Sequence, residues 1–447
     1  MQDGFCLTMG ELFADGGGID MLQRNRLVVW ENGQEEVGEN IRRHEHYYVA
    51  AAIEPTLLEA LHFPSGIEDS VSTEQLVADI QEGISDFVSC DERSQFLLST
   101  YILSTWVGDC LPTPPVLNLW GPSGAALQAL EPLSCLVRRP LLLSDVTSKD
   151  LCELPTGLTP TLIVGQPSKK SVQQICAAAT TPQVSVLRNG RLISYRYATV
   201  LVTRSPLPAP VLSLAIGTPA ESHVRMDAVV ARALTEELTP RLLHYRLTHH
   251  FDVRHSQFDL PGFAWETRIL ARVLGGALEG APALQTRMAE ELSCVDEQQK
   301  VDRSQELAAI VVEALLALCH EQQQEAYIDE VAKLTNIILL GRHEPIEVTS
   351  KKVGTILRQE LGLYARRKGA GYALLLDAST RSRVHRLANT YAVLTGAHAG
   401  CSDCGNESTD SAAEDLAHEL PGLAGQSDVH DVQNVHDVHP SEQEGGA

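Results

Sequence analysis

Apolar and polar positions alternate with different periods along the 447-residue chain. In residues 1–90 the pattern is mixed. Leu27-Val-Val-Trp30 reads as a strand turning at Asn32-Gly33, and Ser72-Thr-Glu-Gln75 opens a helix whose apolar positions Leu76, Ile80, Ile84 and Phe87 recur at helical spacing. The first twenty residues, with Gly16-Gly-Gly18 and the internal methionines Met9 and Met21, show no such period. They are expected to be flexible or to lie upstream of the true start, and no function is assigned to them. From about residue 92 a helix (Gln95 to Val107) passes through Pro112-Thr-Pro-Pro115 into the apolar run Val116 to Trp120, a Gly-Pro-Ser-Gly turn and a second helix from Ala125 to Val137. Further apolar runs stand at Pro140 to Leu143, Thr161 to Val164 and Thr199 to Val202. Such runs alternating with helical segments predict an α/β fold with a parallel sheet covered on both faces.

Residues 225–295 read as helices, an extension of that core. Asp302 with Gln305 gives a capping signal for a helix whose stripe is Leu307, Ile310, Val311, Ala314, Leu315 and Leu318, and a second helix is expected from about Glu325 to Leu339. A third starts at Thr349-Ser350, buries Val353, Ile356, Leu357 and Leu361, and stops at Gly362. Then Tyr364 to Lys368, the turn Gly369-Ala-Gly371 and Tyr372 to Leu376 form a hairpin. Three helices followed by a β-hairpin predict an α+β winged helix, whose third helix enters the major groove of DNA. The expected domains are an N-terminal mixed region (1–90), the sheet core (91–222), the helical extension (223–300), the winged helix (301–395) and a disordered acidic tail (396–447).

Charge sharpens this division. The chain carries 58 acidic and 35 basic residues, a net of −23, which argues against non-specific binding of polyanions over the whole surface. Yet no Lys or Arg follows Arg386, and eleven carboxylates do, from Asp403 to Glu444. Residues 349–386 hold nine basic side chains against Glu360 and Asp377. A local excess of that sign suits phosphate contacts, with Lys351, Lys352, Thr355, Arg358, Gln359, Arg366, Arg367 and Lys368 as the candidate DNA-binding residues. The acidic tail, tethered close by, is expected to compete with DNA for that face. No apolar run is long enough to span a bilayer, no secretory signal opens the chain, and the ten cysteines show no dense framework. A cytoplasmic protein with reduced, mostly buried thiols and no membrane partner is expected.

The turn after Val116 to Trp120 stands where a phosphate-binding loop would. That loop needs Gly-x-x-x-x-Gly-Lys-Ser/Thr: glycines so that amides wrap the phosphates, a lysine to neutralise them, a hydroxyl on Mg²⁺. Here Gly121-Pro-Ser-Gly124 is followed by Ala125, Ala126, Leu127 and Gln128, so the second glycine, the lysine and the hydroxyl are replaced. The run Thr161 to Val164 occupies the place of a strand ending in Asp-Glu, but ends in Gly165-Gln166. The stretches Trp106-Val-Gly-Asp109, Leu119-Trp-Gly-Pro122, Leu133-Ser-Cys-Leu-Val-Arg-Arg-Pro140, Pro160 to Val164 and Ser256-Gln-Phe-Asp259 resemble bacterial P-loop ATPases related to phage and plasmid primase-helicases, in a subgroup with degenerate motifs, over roughly residues 90–390. The resemblance implies a P-loop NTPase-like core, an arginine reaching a neighbour's phosphate, and a sensor residue. No arginine lies between Arg204 and Arg225, and Thr203 is the position compatible with a sensor.

Losing lysine, hydroxyl and acidic pair removes the electrostatic and metal stabilisation of phosphoryl transfer. An inactive ATPase-like core is therefore expected, with no catalytic residues, no cofactor and no metal, serving as a platform for self-association or a protein partner. Cys401-Ser-Asp-Cys404, with His398 nearby, is half of a zinc-like site, read as two tail thiols because no second pair follows. The repeat Val429-His-Asp-Val432 and Val435-His-Asp-Val438, with His439, reads as low-complexity sequence. His244, His249, His250 and His255 around Asp252 are expected to be surface residues of an amphipathic helix. A working ATPase with substitute residues and a protein-docking winged helix remain the alternative functions.

Overall fold

The structure is a computed structural model that describes residues 4–393, except 15, 45, 70–71, 152, 156, 183–184, 189–190, 195, 218–225 and 370, together with Cys401 and Cys404. The expected disordered tail, His398 and the His-Asp repeat lie outside the described residues. The chain divides into two units, residues 1–305 and 306–447.

In the first unit, strands β1 (Gly4–Thr8), β6 (Asn40–Arg43) and β7 (His46–Ala50) form a small sheet, while β2 (Gly10–Leu12), β3 (Gly18–Leu22), β4 (Arg26–Glu31) and β5 (Gln34–Gly38) form an antiparallel meander. The β4–β5 turn is the expected one: Asn32 and Gly33 both take positive φ, 53° and 76°, as a two-residue hairpin loop requires. Helix α1 (Thr73–Ser85) is capped by Ser72 and buries Leu76, Ile80 and Ile84; α2 (Glu92–Trp106) is capped by Asp91. The central sheet follows: β8 (Val116–Trp120), helices α3 (Ser123–Gln128) and α4 (Leu130–Leu136), β9 (Pro140–Leu143), β10 (Thr161–Val164), helix α5 (Lys169–Thr180), the hairpin β11 (Ser185–Arg188) and β12 (Arg191–Ser194), then β13 (Thr199–Thr203) and β14 (Leu212–Ala215). Long helices close the unit: α6 (Ala228–Arg254), α7 (Trp265–Leu274) and α8 (Pro282–Gln305).

All five central strands run parallel, in the order β14-β8-β13-β10-β9. Both faces are buried. Leu117, Leu119, Ile163, Val200 and Val202 pack with the helical core of α1, α2, α4, α6 and α7, while Leu141, Leu162, Val164 and Leu201 pack with Ile175 of α5 and with Ile19, Met21 and Leu27 of the meander. This is the alternation that makes such strands read as continuous apolar runs. The connection from β8 leaves towards β9 and that from β13 towards β14, so the crossovers part between adjacent β8 and β13, a topological switch point where α/β proteins place ligands.

Several expectations change. Residues 10–12 and 18–22 are strands, and Met9 and Met21 are buried. The helix expected from Ala125 to Val137 begins at Ser123 and breaks at Ala129 into α3 and α4. The short strand β14, within Val211-Leu-Ser-Leu-Ala-Ile216, and the β11–β12 hairpin come in addition to the expected elements. Asp302 lies inside α8, its Oδ1 accepting from Gln298 Nε2 at 2.9 Å, and starts no helix. His244 and His250 are buried, His250 Nε2 3.0 Å from the Phe13 carbonyl, because α6 is enclosed on that side. Among the described cysteines only Cys110, Cys135 and Cys319 are fully buried. No helix among the described residues is long and apolar enough to cross a membrane.

A buried ion cluster ties the first unit together. Asp20, in β3, accepts from Arg138 Nη2 at 2.9 Å and Arg246 Nε at 3.1 Å on one oxygen, and from Arg139 and the Met21 amide on the other. Arg246 then grips Asp109 with two bonds of 2.7 Å, and Arg139 also holds the carbonyls of Met9 and Leu158. Burial by itself raises the Asp20 carboxyl, but Arg138, Arg139 and Arg246 together hold it well below the ordinary range. The native state thus binds fewer protons than the unfolded chain, so stability rises with pH across this group. Its contribution is complete above the unfolded value of about 4 and is lost as pH falls through the native one. Asp20→Asn is expected to cost about 3–5 kcal/mol in urea unfolding at pH 7 by leaving buried guanidinium groups uncompensated. The same variant is expected to show a shallower loss of stability below pH 4.

The strand-end turn and a candidate nucleic-acid interface

At the switch point the chain turns from β8 into α3 through Gly121 and Pro122 alone. Gly121 takes φ +142°, and a Cβ there would stand 2.4 Å from the Ile216 carbonyl oxygen. Ile216 N donates in turn to the Trp120 carbonyl at 2.8 Å. The glycine therefore serves a close backbone approach. Ala126 N donates to the Pro122 carbonyl at 3.1 Å, a helical bond at the start of α3. Leu127, at the lysine position, comes within 3.5 Å of where a Cβ of Gly165 would stand, so the two altered motif positions do meet, across an apolar contact. Gln128, Gly124 and Gln166 are exposed. Thr203, at the end of β13, donates to Asn118 Oδ1 at 2.8 Å and so stays within the sheet.

Two of the stretches behind the sequence resemblance supply residues of the ion cluster. Trp106 donates from its indole to the Leu136 carbonyl at 2.8 Å, Asp109 holds Arg246, and Arg138 and Arg139 hold Asp20. Asp259 is drawn well below the ordinary carboxylate range by its bonds with Arg268 and Arg272.

The second unit begins with α9 (Leu307–His320), followed by β15 (Glu325–Tyr327), α10 (Ile328–Gly341), α11 (Ser350–Gln359), β16 (Arg366–Lys368), β17 (Gly371–Leu375) and α12 (Ala378–Thr390). Residues expected to open the second helix at Glu325 instead pair antiparallel with β17, which is the centre of a three-stranded sheet, β15-β17-β16. Asn336 positions the third helix by bonding both polar groups of the Val348 backbone, at 2.8 and 3.0 Å, and the Thr349 hydroxyl caps it. Val353, Ile356 and Leu357 lock α11 into the core, and Gly362 ends it at φ +61°.

That packing leaves Lys351, Lys352, Arg358 and Gln359 exposed on α11, with Thr355 half-buried and bonded to the Lys351 carbonyl. Arg366 and Arg367 are exposed on β16, Arg367 opposite Tyr372. Tyr364 and Tyr372 are 71% and 56% exposed, large apolar surface beside cationic side chains. Not all the basic residues are available. Lys368 pairs with Glu325; Arg381 donates to the carbonyls of Cys319, Gln323 and Leu376; Arg383 donates to the Leu361 carbonyl. The positive face is narrower than the count of nine suggests.

A further cluster lies elsewhere in this unit. Cys401 and Cys404, expected to be separate tail thiols, stand beside His320 and His385. Neither histidine was singled out from the sequence, although only His320, His343 and His385 precede the cysteine pair between residues 306 and 393.

No family model matches the chain, and no curated protein does. Among solved structures, two apo structures of the NrS-1 C-terminal region are weakly similar, with TM-scores of 0.32 and 0.34 at 8% identity. These alignments cover 82% and 81% of this chain and 99% and 97% of theirs. A structure of Drosophila ORC bound to DNA aligns at TM-score 0.18 and 10% identity, covering 72% of this chain and 94% of that one. Likeness at this level carries no functional argument.

Gly121→Ala is expected to lower stability by about 1–3 kcal/mol in thermal or urea unfolding, from the left-handed φ and the Ile216 carbonyl. Millimolar Mg²⁺-ATP is expected to leave the melting temperature of both proteins unchanged. A nucleotide-dependent rise that Gly121→Ala abolishes would show instead that the glycine serves phosphate.

Proposed function

We propose that this protein binds double-stranded DNA through its second unit, acting as a winged helix, while its first unit is a catalytically inactive P-loop ATPase-like core. The core serves as a platform for self-association or a protein partner, and the whole as an accessory or regulatory factor for mobile or replicating DNA. The observation that carries the DNA reading is the set of exposed cations on α11 and β16. Lys351, Lys352 and Arg358 project from a helix whose other side is packed, and Arg366 and Arg367 from an exposed edge strand, in a chain whose net charge is −23. A helix offering Thr355 and Gln359 among such cations can combine phosphate contacts with base-edge hydrogen bonds. The proposed inactivity rests on the strand-end turn, where Leu127 and Gly165 replace charge with an apolar contact.

A salt-titrated duplex-binding curve on the full chain tests this. Affinity is expected to fall with a log–log slope of about −0.9 per phosphate contact, and Lys351→Glu/Lys352→Glu and Arg366→Glu/Arg367→Glu are each expected to weaken binding tenfold or more and flatten that slope. Equal, salt-insensitive retention by all three proteins would count for protein docking. Removing residues 405–447 is expected to tighten binding by relieving competition from the acidic tail; unchanged affinity would refute that competition.

A further inference from the structure

The second unit gathers four metal-ligating side chains from three separate segments. His320 is the last residue of α9, His385 lies in the middle of α12, and Cys401 and Cys404 follow that helix. The Cys404 sulfur is 3.1 Å from His320 Nε2, and the Cys401 sulfur 3.2 Å from His385 Nε2. All four donor atoms lie within 4.8 Å of one another, and the two imidazole rings are tilted at 60° with centroids 5.4 Å apart.

From these contacts we infer a structural zinc site of the Cys₂His₂ class. Zinc bound by two thiolates and two imidazoles sets its ligand atoms roughly 3.3–3.8 Å apart, the edges of a tetrahedron with bonds of about 2.0–2.3 Å. The two thiol–imidazole separations are already close to those edges. The Cys-x-x-Cys spacing supplies one half of the site and two helices supply the other.

The surroundings fit the role. His385 Nδ1 lies 2.8 Å from the Arg381 carbonyl, so that nitrogen carries the proton and donates, and Nε2 presents its lone pair towards Cys401. Arg381 itself holds the carbonyls of Cys319 and Gln323 at the end of α9, next to His320. One arginine thereby fixes both histidine-bearing segments before any metal arrives. His385 is buried and the other three are half-buried, so a metal would be largely shielded from solvent. Two soft sulfurs with two nitrogens select zinc over the hard cations Mg²⁺ and Ca²⁺. Binding converts both thiols to thiolates and releases two protons, which leaves the Zn²⁺ centre electrically neutral.

The test uses untagged full-length protein purified under reducing conditions. Elemental analysis is expected to find about one zinc per chain. Replacement by Co²⁺ is expected to give the visible bands of a tetrahedral centre with sulfur-to-cobalt charge transfer. Removing residues 405–447 is expected to leave the metal content unchanged, which separates this site from the tail histidines. Cys401→Ser/Cys404→Ser is expected to lose the metal, and His385→Asn to lower affinity at least tenfold. Three results would overturn the assignment: no thiolate charge transfer in the wild-type cobalt protein, zinc content unaltered by the double cysteine change, or Cys401 and Cys404 recovered as a disulfide in protein that holds no metal. The cobalt measurement is made on the wild type, so the assignment stays testable if a variant fails to fold.

Discussion

Three guanidinium groups cannot share an apolar interior unless carboxylates stand among them, and the first unit is arranged around that requirement. Asp20 receives Arg138, Arg139 and Arg246, and Asp109 takes the outer edge of Arg246. These residues come from the meander, the end of α2, the turn before β9 and the middle of α6, segments separated by up to 226 positions. Apolar contact tolerates small slips of one element over another; a bidentate pair with both oxygens assigned does not. The cluster therefore contributes registration more than net stability, since well-packed hydrophobic groups often do as well energetically as a buried ion pair.

Much of the fold was legible because it rests on local period. The parallel strands at Val116, Thr161 and Thr199 are buried on both faces and so read as continuous apolar runs. Helix α11 was legible for the converse reason: its stripe and its charges separate cleanly at 3.6 residues per turn. What could not be read were effects of partners distant in sequence. Glu325 to Tyr327 continues a helical pattern and becomes a strand because β17 offers it hydrogen bonds. Asp20, a single carboxylate among Gly18, Ile19, Met21 and Leu22, looks like a polar interruption until its three arginines are placed around it.

The candidate sites show the same division. Charge counting located the positive segment, but could not tell which cations were already engaged. Arg381 and Arg383 hold backbone carbonyls and Lys368 holds Glu325, so the exposed set is a subset of the expected one. Cys401 and Cys404 declared half a constellation in the sequence, and its completion depended on α9 and α12 lying side by side, with His320 and His385 turned the same way. Spacing identifies ligands that share a knuckle; those supplied by helices are found only after the helices are packed.

The turn between β8 and α3 is fixed by the helix it leads into. Residues 123–128 are wound into helix, and the Ala126 amide is committed to the Pro122 carbonyl. Leu127 is exposed on that helix, so a lysine at this position would place its ammonium group on a helical surface. Unwinding this helix would cost its hydrogen bonds and the burial of Ala125 and Ala126. The conformation of this turn is therefore held by the helix that follows it, and a single substitution at position 127 leaves that helix in place.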